Sequence, residues 1–337
     1  MPVTLAEAKN NAQADIDVAV IDEFRKESVI LDSLIFDDAV NPSGGGGTLT
    51  YGYRRLITQP TAAFREINKE YTPSEVQTQR YTVDLAVLGG SFEVDRVLAQ
   101  VGPAASGAVA LNLQQKIKAT RTRFQDAVIN GDIAAGGDAQ HGFDGLDKAL
   151  AGSSTEFRGD RVTDWTDLDT DPRAAHKALD ALDEFLSLLD GTPTLIMGNT
   201  ASIAKIRAIA RRAGQFTRDP VEGLVGQDGR PVIRESYGGI LFADVGAKAG
   251  TNDPIIPIET REIDGEDVDG LTDLYAVRIA LDGFHGVTTV GGQLVRTWLP
   301  DFSTSGAVKR GEVEMGPVAV ALKATKAAAV FRHIKVR

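Results

Sequence analysis

Residues 103–131, PAASGAVALNLQQKIKATRTRFQDAVING, constrain the fold more than any other stretch, because their pattern predicts one uninterrupted helix. Val109, Leu113, Ile117, Thr120, Phe124 and Ala127 or Val128 recur at steps of three and four, which keeps them on one face. Lys116, Lys118, Arg121, Arg123, Gln125 and Asp126 fall to the opposite, solvent face. Pro103 suits a first turn, where its missing N–H has no partner to lose. Gly131 stands where a left-handed C-terminal cap is expected. At ~1.5 Å per residue such a helix is a rod about 42 Å long. A beam with a single apolar stripe has to lie across something, and a sheet built by the rest of the chain is the simplest partner.

The stretches before the beam cannot fold alone. Thr4–Lys26 is polar with a weak helical stripe (Ile16, Val20, Phe24), followed by Val29-Ile30-Leu31 and Leu34-Ile35-Phe36. This arm has too little apolar surface to offset its own ordering entropy, so it must rest on this chain or on a neighbour. Asn41–Gly47, NPSGGGG, reads as a hinge; no Lys-Ser/Thr pair follows to make it a phosphate cradle. Thr48–Tyr53 alternates like a strand, and the polar run Arg54–Thr82 continues it as a projecting hairpin with its turn near Asn68–Ser74. Isolated hairpins are marginal in water, so this one needs a surface to lie on. Its charges Arg65, Glu66, Lys69 and Glu70 are expected to pair with another subunit. Gln79–Val94 returns as a strand with Tyr81, Val83, Leu85 and Val87 on one face, and Gly89-Gly90 is expected to mark a bulge.

After the beam comes a glycine-dotted loop (Asp132–Gly152), an acidic linker (Val162–Asp171) and a compact α+β unit. In that unit Leu179, Leu182, Leu186 and Leu189 predict a helix ending at Asp190. Thr194–Met197 predicts a buried strand. Asn199 or Thr200 caps a helix carrying Ile203, Ile206 and Ile209, closed at Gly214. Strands are expected at Pro231–Arg234, Ile240–Val245 and Leu274–Leu281. Two alternating runs in Glu312–Val336 are expected to close the sheet beneath the beam.

No constellation of catalytic type emerges. The formal charge of −11, from 36 Lys+Arg and 47 Asp+Glu, argues against a broad nucleic-acid-gripping surface. The absence of cysteine excludes disulfides, thiolate nucleophiles and Cys-ligated metals. His141, His176, His285 and His333 make no metal spacing. DLDTDP (Asp167–Pro172) imitates a calcium loop but carries Pro172 and Ala178 where Gly and Glu belong, and DGEDVDG (Asp264–Gly270) fails similarly and reads as a loop tip. GNTASIAK (Gly198–Lys205) lacks the P-loop's second Gly and its Ser/Thr. No catalytic, cofactor-binding or metal residue is nominated, no cofactor is expected, and the chain does not read as an enzyme. No apolar run reaches the ~20 residues of a membrane span.

Arm, glycine hinge, projecting hairpin, strand, long helix, inserted α+β unit and returning strands occur in an order that resembles the major capsid protein of tailed bacteriophages, the Hong Kong 97-type fold. The most similar passages are AVINGDIAAGGDAQHGFDGL (Ala127–Leu146), PTLIMGNTASIAKIRAI (Pro193–Ile209), GRPVIRESYGGILFADVG (Gly229–Gly246) and VAVALKATKAAAVFRHIKV (Val318–Val336). The resemblance implies an α+β fold with an N-arm and hinge at 1–47, an E-loop at 48–82 and a peripheral domain at 83–171 with spine helix 103–131. It further implies an axial domain at 172–290 and C-terminal peripheral strands at 291–337. It implies a non-enzymatic subunit that self-assembles as hexamers and pentamers into an icosahedral shell around double-stranded DNA, without sequence-specific binding. Portal, scaffolding and decoration proteins would be partners, no membrane is involved, and the virion capsid would be assembled in the host cytoplasm. The short segment before Asn41 implies no large fused scaffold. Some family members crosslink an E-loop lysine to a neighbour's asparagine. Lys69 is the only lysine in the hairpin, and Leu294–Arg337 holds no asparagine, so a non-covalent shell is expected. The alternatives are an encapsulin-type nanocompartment, which resembles the same fold, and a metabolic α+β enzyme with an unrecognised site.

Overall fold

The computed structural model describes residues 29–38, 48–97, 103–159, 161–168, 172–212, 214, 216–225, 231–251, 253–289 and 294–337. The expected arm helix over Thr4–Lys26 and the hinge Asn41–Gly47 lie outside the described residues. In chain order the elements are α1 (Val29–Ser33), β1 (Phe36–Asp37), β2 (Thr50–Thr58), β3 (Gln77–Asp84), β4 (Ala86–Asp95), α2 (Pro103–Asn130), α3 (Leu146–Leu150), β5 (Glu156–Phe157), β6 (Thr163–Asp164), α4 (Pro172–Ser187) and β7 (Leu195–Gly198). They continue with α5 (Thr200–Arg212), β8 (Phe216–Val225), β9 (Pro231–Tyr237), β10 (Ile240–Asp244), β11 (Glu259–Ile263), β12 (Glu266–Val277), β13 (Phe284–Thr288), β14 (Val295–Trp298), β15 (Val308–Leu322) and β16 (Ala328–Lys335).

Three sheets result: β2–β3 alone, a five-stranded sheet β1-β13-β15-β14 with β4 also on β15, and a nine-stranded sheet β5-β16-β12-β7-β10-β9-β8 with β6 and β11 at its side. The central strands of the larger sheet read as unbroken apolar runs because both of their faces are buried. Successive side chains point to opposite faces. Leu195, Met197, Tyr275, Val277, Ala328 and Val330 therefore join the core shared with the five-stranded sheet and α2. Ile196, Leu274, Ala276, Ala329 and Phe331 join a second core under α4 and α5. The helices sit as the leucine and isoleucine spacing predicts. The Asn199 side chain caps α5, accepting from the Ser202 N–H at 2.9 Å, and Gly214 follows with a positive φ of 69°.

The beam forms as predicted, over Pro103–Asn130, with Thr120, Phe124 and Val128 of the stripe buried. Two expectations about it need correction. Gly131 is not in the left-handed region; it is required because a Cβ there would stand 2.2 Å from the Phe143 carbonyl oxygen and 2.4 Å from that of Ala127. Gln125 and Asp126 are buried rather than solvent-facing. The Ile30 N–H donates to Gln125 Oε1 at 3.0 Å, and Asp126 accepts from Arg123 at 2.5 Å and from Asn130 Nδ2 at 2.9 Å. The arm thus packs along one side of the helix, from Gln125 to Phe124, whose ring lies 6.2 Å from that of Phe36. From Val29 onward the arm rests on its own chain.

Other departures follow from strand phase. Gly89-Gly90 makes no bulge: both pair in register with Glu314 and Val313, and a Cβ on Gly89 would meet the Val313 carbonyl oxygen at 2.5 Å. The break comes earlier, at Leu85, where the chain leaves β3 for β4 and the buried face changes phase, which turns Val87 outward. Within the expected linker, Thr163–Asp164 pairs with β16 and Trp165 is fully buried. Only the first of the two C-terminal runs lies beneath the beam; β16 pairs with β12 in the nine-stranded sheet. Asp264 and Gly265 (φ 53° and 82°) form a two-residue hairpin turn, and the rest of that acidic run is strand β12.

Candidate assembly surfaces

The projecting hairpin has a tied root and a bare tip. Along β2, Tyr51, Tyr53 and Arg55 alternate onto one face. The Tyr51 hydroxyl donates to Asp37 Oδ2 at 3.0 Å, which ties β2 to the arm. The Tyr53 hydroxyl donates to the Leu322 carbonyl at 3.0 Å, and Arg55 Nε to that of Lys323 at 3.0 Å, with a further Arg55 hydrogen bond to the Leu322 carbonyl. The Arg55 guanidinium also sits 4.4 Å from the centroid of Tyr81, which stacks on Tyr53 at 5.8 Å. Aromatic stacking and a cation over a ring are each worth ~0.5–1.5 kcal/mol at such sites. Desolvation, reinforced by the bond to Asp37, pushes the Tyr51 phenol well above its ordinary range, so it stays a donor. The surface the hairpin needed is the chain's own turn after β15.

Beyond residue 58 the picture reverses. Thr61 and Ser74 bond across the limbs at 3.2 Å, and a turn with Asn68 at φ 68° closes the tip. Lys69 pairs with Glu66 at 2.5 Å, Arg65 donates to the carbonyls of Glu66 and Lys69 at 3.2 Å each, and its guanidinium lies 5.4 Å from the Tyr71 ring. Of the four charges expected to seek another subunit, Arg65, Glu66 and Lys69 are therefore engaged within the tip. The tip also exposes large apolar side chains: Phe64 is 107% exposed, Ile67 88% and Tyr71 63%, with Val76, Leu56 and Ile57 also exposed. Their i-to-i+3 and i+4 spacing in a Pro-bounded, charge-rich stretch was the missed signal. A second exposed apolar group, Trp298, Leu299, Val308 and Val97, stands at the outer end of the five-stranded sheet. On that face the Arg310–Glu93 pair (2.7 Å) lies beside Val308.

The densest charged cluster is a structural tie. At the end of β16, Arg332 and His333 oppose the single residue Asp273, a bulge completed by His333 at φ 58°. A bulge re-aims side chains; here Arg332 reaches Asp147, Glu156 at 3.1 Å and Asp273 at 3.0 Å. Arg261 grips Asp273 with two bonds of 2.7 and 2.9 Å, and the His333 N–H adds a third group at 3.2 Å. Burial alone would raise the Glu156 carboxyl, but the Gly152 N–H, Arg158 and Arg332 outweigh it and hold it below the usual carboxylate range. Carboxylates clamped in the ionised form by arginines are poor general acids. Among the described residues no group of three His, Asp or Glu is placed to hold a metal, and no helix is long and apolar enough to cross a membrane. Lys205, the lysine of the P-loop-like run, donates to the Thr166 carbonyl at 3.2 Å. Asn130 is engaged by Asp126 and the Ile255 carbonyl, and Asn199 by Thr272 and the Ile256 carbonyl.

No protein-family model matches this sequence, and no curated protein matches it. Solved structures match over its full length. The SrpI encapsulin from Synechococcus elongatus is similar at a TM-score of 0.58 and 15% identity, with 100% of this chain and 97% of that chain covered. The capsid of the native GTA particle gives 0.59 and 12%, with 98% of each chain covered. The capsid of the Myoviridae phage XM1 gives 0.54 and 6%, with 95% and 96% covered. The chain has the α+β fold that these capsid and encapsulin subunits share, the Hong Kong 97-like shell fold.

Proposed function

We propose that this chain is a non-enzymatic structural subunit that self-assembles, as hexamers and pentamers, into the icosahedral head shell of a tailed bacteriophage. The observation that carries the reading is the hairpin, clamped to its own chain at Tyr51, Tyr53 and Arg55 while Phe64, Ile67 and Tyr71 stand uncovered at its tip. Contiguous exposed apolar groups on a projecting element mark an interaction site. A second copy of the chain is the occupant. One tip docking on the next subunit is a head-to-tail contact, and such contacts make a ring where the rotation from one subunit to the next closes. In this reading residues 1–47 act as arm and hinge, 48–82 as the E-loop, 83–171 and 291–337 as the peripheral domain, and 172–290 as the axial domain. The shell encloses double-stranded DNA without reading its sequence, in keeping with the charge of −11. Portal, scaffolding and decoration proteins are its further partners, and assembly takes place in the host cytoplasm.

Purified full-length protein at micromolar concentration, viewed by negative-stain microscopy and weighed by mass photometry, should give icosahedral particles. A stable monomer that turns over a metabolite would overturn the reading. The full-length likeness to an encapsulin supports a second one, a nanocompartment that encloses protein. Particles isolated from the source cells separate the two by content, DNA in the first case and cargo protein in the second.

A further inference from the structure

His285 is fully buried on β13, and neither Nδ1 nor Nε2 has a hydrogen-bond partner. Its strand pairs with β15 through Ala321, and the next residue, Gly286, pairs with Phe36 of β1. The Tyr51 ring stands edge-on to the imidazole, centroids 5.9 Å apart at 78°. The Tyr51 hydroxyl holds Asp37, and Lys323 Nζ lies 3.9 Å from the same carboxylate oxygen and 5.4 Å from the Tyr51 ring centroid. Arm, hairpin root and the end of β15 therefore converge over one imidazole. A phenylalanine would fill this space without leaving two polar atoms unpartnered, so stability alone does not account for a histidine here.

The charged groups around it oppose protonation on balance. Burial is the largest influence and lowers the imidazole's proton affinity, and the Lys323 ammonium adds to it. Asp37, Asp282 and the Gly283 carbonyl, which lies near the ring without hydrogen-bond geometry to either nitrogen, favour the charged form. Asp37 is already engaged by Tyr51 and Lys323, however, and Asp282 by Arg278 at 3.1 Å.

We propose that His285 is an acid-operated latch on the hairpin root. Neutral, it seats the Tyr51 ring; protonated, it expels that ring and releases β2 from β1 and β13. The consequence for shell geometry rests on the assembly reading above, whereas the latch itself does not. In the docked state the imidazole excludes the proton, and in the released state it meets water with an ordinary pKa of ~6.5. Docking is therefore unaffected above ~pH 7 and weakens as pH falls through ~6.5, by up to about tenfold per unit. Between pH 7.5 and 5.0 the limit is roughly thirtyfold.

The chain has no cysteine, so Thr78→Cys on the exposed limb of the hairpin takes a single nitroxide label. In the full-length protein the label should be ordered at pH 7.5 and gain mobility below ~pH 6. The midpoint should track the titration of the His285 imidazole followed by NMR in the same sample. His285→Phe should keep the label ordered at both pH values. A transition unchanged in His285→Phe overturns the latch, as does a His285 titration at or above the ordinary histidine value. The NMR titration needs no substitution, so it decides the matter even if the variant misfolds. Particle counts by microscopy over the same pH range judge the assembly reading separately.

Discussion

Replacing Phe64 and Ile67 together by serine removes the two most exposed apolar side chains of the hairpin tip, 107% and 88% exposed in the single chain. Full burial of such a side chain at a contact is worth ~1.5–3 kcal/mol, so the pair is worth about 3–6 kcal/mol per subunit. If contact with a neighbour covers only half of that surface, about 1.5–3 kcal/mol remains. At 1.4 kcal/mol per tenfold, the concentration needed for assembly should rise by at least about tenfold and by up to ~10⁴-fold. The isolated subunit should be unaffected, because exposed substitutions away from packing usually stay within ~0.5 kcal/mol. Glu66→Gln is the control: it breaks the Lys69 bridge, whose partners are 69% and 74% exposed. Exposed pairs contribute ~0–1 kcal/mol, so assembly should barely change. Light scattering against protein concentration reads the threshold, and circular dichroism melts read the subunit. A double variant that assembles at the wild-type concentration would refute the argument, as would one whose melting temperature falls.

Arg332→Ala should destabilise the subunit by about 3 kcal/mol in urea unfolding, since it strips a partner from half-buried Glu156 and buried Asp273 while Arg261 still holds the latter. The contribution of Glu156, whose pKa is lowered, is present above the unfolded value and lost as pH falls through the folded one, so the gap between wild type and variant should narrow in acid. Gly131→Ala should cost ~1–3 kcal/mol, because both groups in its way are backbone carbonyls. Boiling particles in detergent should release one band near 35.9 kDa; a ladder of multiples abolished by Lys69→Arg would show a covalent mesh. With the tip's charges paired internally, ~1 M salt should not dissolve the shell while cooling should weaken it, and light scattering at both extremes checks the pair.

The beam was legible because a stripe repeated over many turns leaves little room for another conformation, and α4 and α5 were legible for the same reason. The apolar runs at Thr194–Met197 and Val318–Val336 announced buried strands but not which sheet they enter, since a strand buried on both faces carries no directional signal. Gln125 was placed on the wrong side because helical periodicity cannot show that an arm distant in sequence reaches it, and Asp126 because it cannot show Arg123 and Asn130 closing over its carboxylate. The same limit hid the hairpin tip. Arg65, Glu66 and Lys69 pair locally with backbone carbonyls and with one another, and only three-dimensional placement shows that Phe64, Ile67 and Tyr71 stand exposed beside them. His285 looked ordinary in sequence; its isolation depends on Tyr51 and Lys323, which come from far along the chain.

The turn after β15 brings these features together. Residues Leu322–Ala327 carry the chain from the five-stranded sheet into β16 of the nine-stranded sheet. The Leu322 and Lys323 carbonyls accept from Tyr53 and Arg55, the Lys323 N–H donates to Gly283, and the Lys326 and Ala327 carbonyls accept from Asp190 and Arg278. The hairpin root is thus bonded both to the five-stranded sheet, through Tyr51 and Asp37, and to a segment that joins the two sheets, through Tyr53 and Arg55. Residues 278–283, between β12 and β13, also join the two sheets, so a change in tilt is shared between the two segments, and Tyr53 and Arg55 would carry the part that moves Leu322–Ala327 out along the hairpin. A rise of ~3.4 Å per residue makes a limb the length of β2 a lever about 30 Å long, so a few degrees at the root become ångströms at Phe64. In the proposed shell, a subunit with hexamer and pentamer neighbours has to meet two curvatures with one sequence. In that reading the beam keeps its place against the core while the hairpin, bonded at its root to Asp37, Leu322 and Lys323, takes up the difference at its tip.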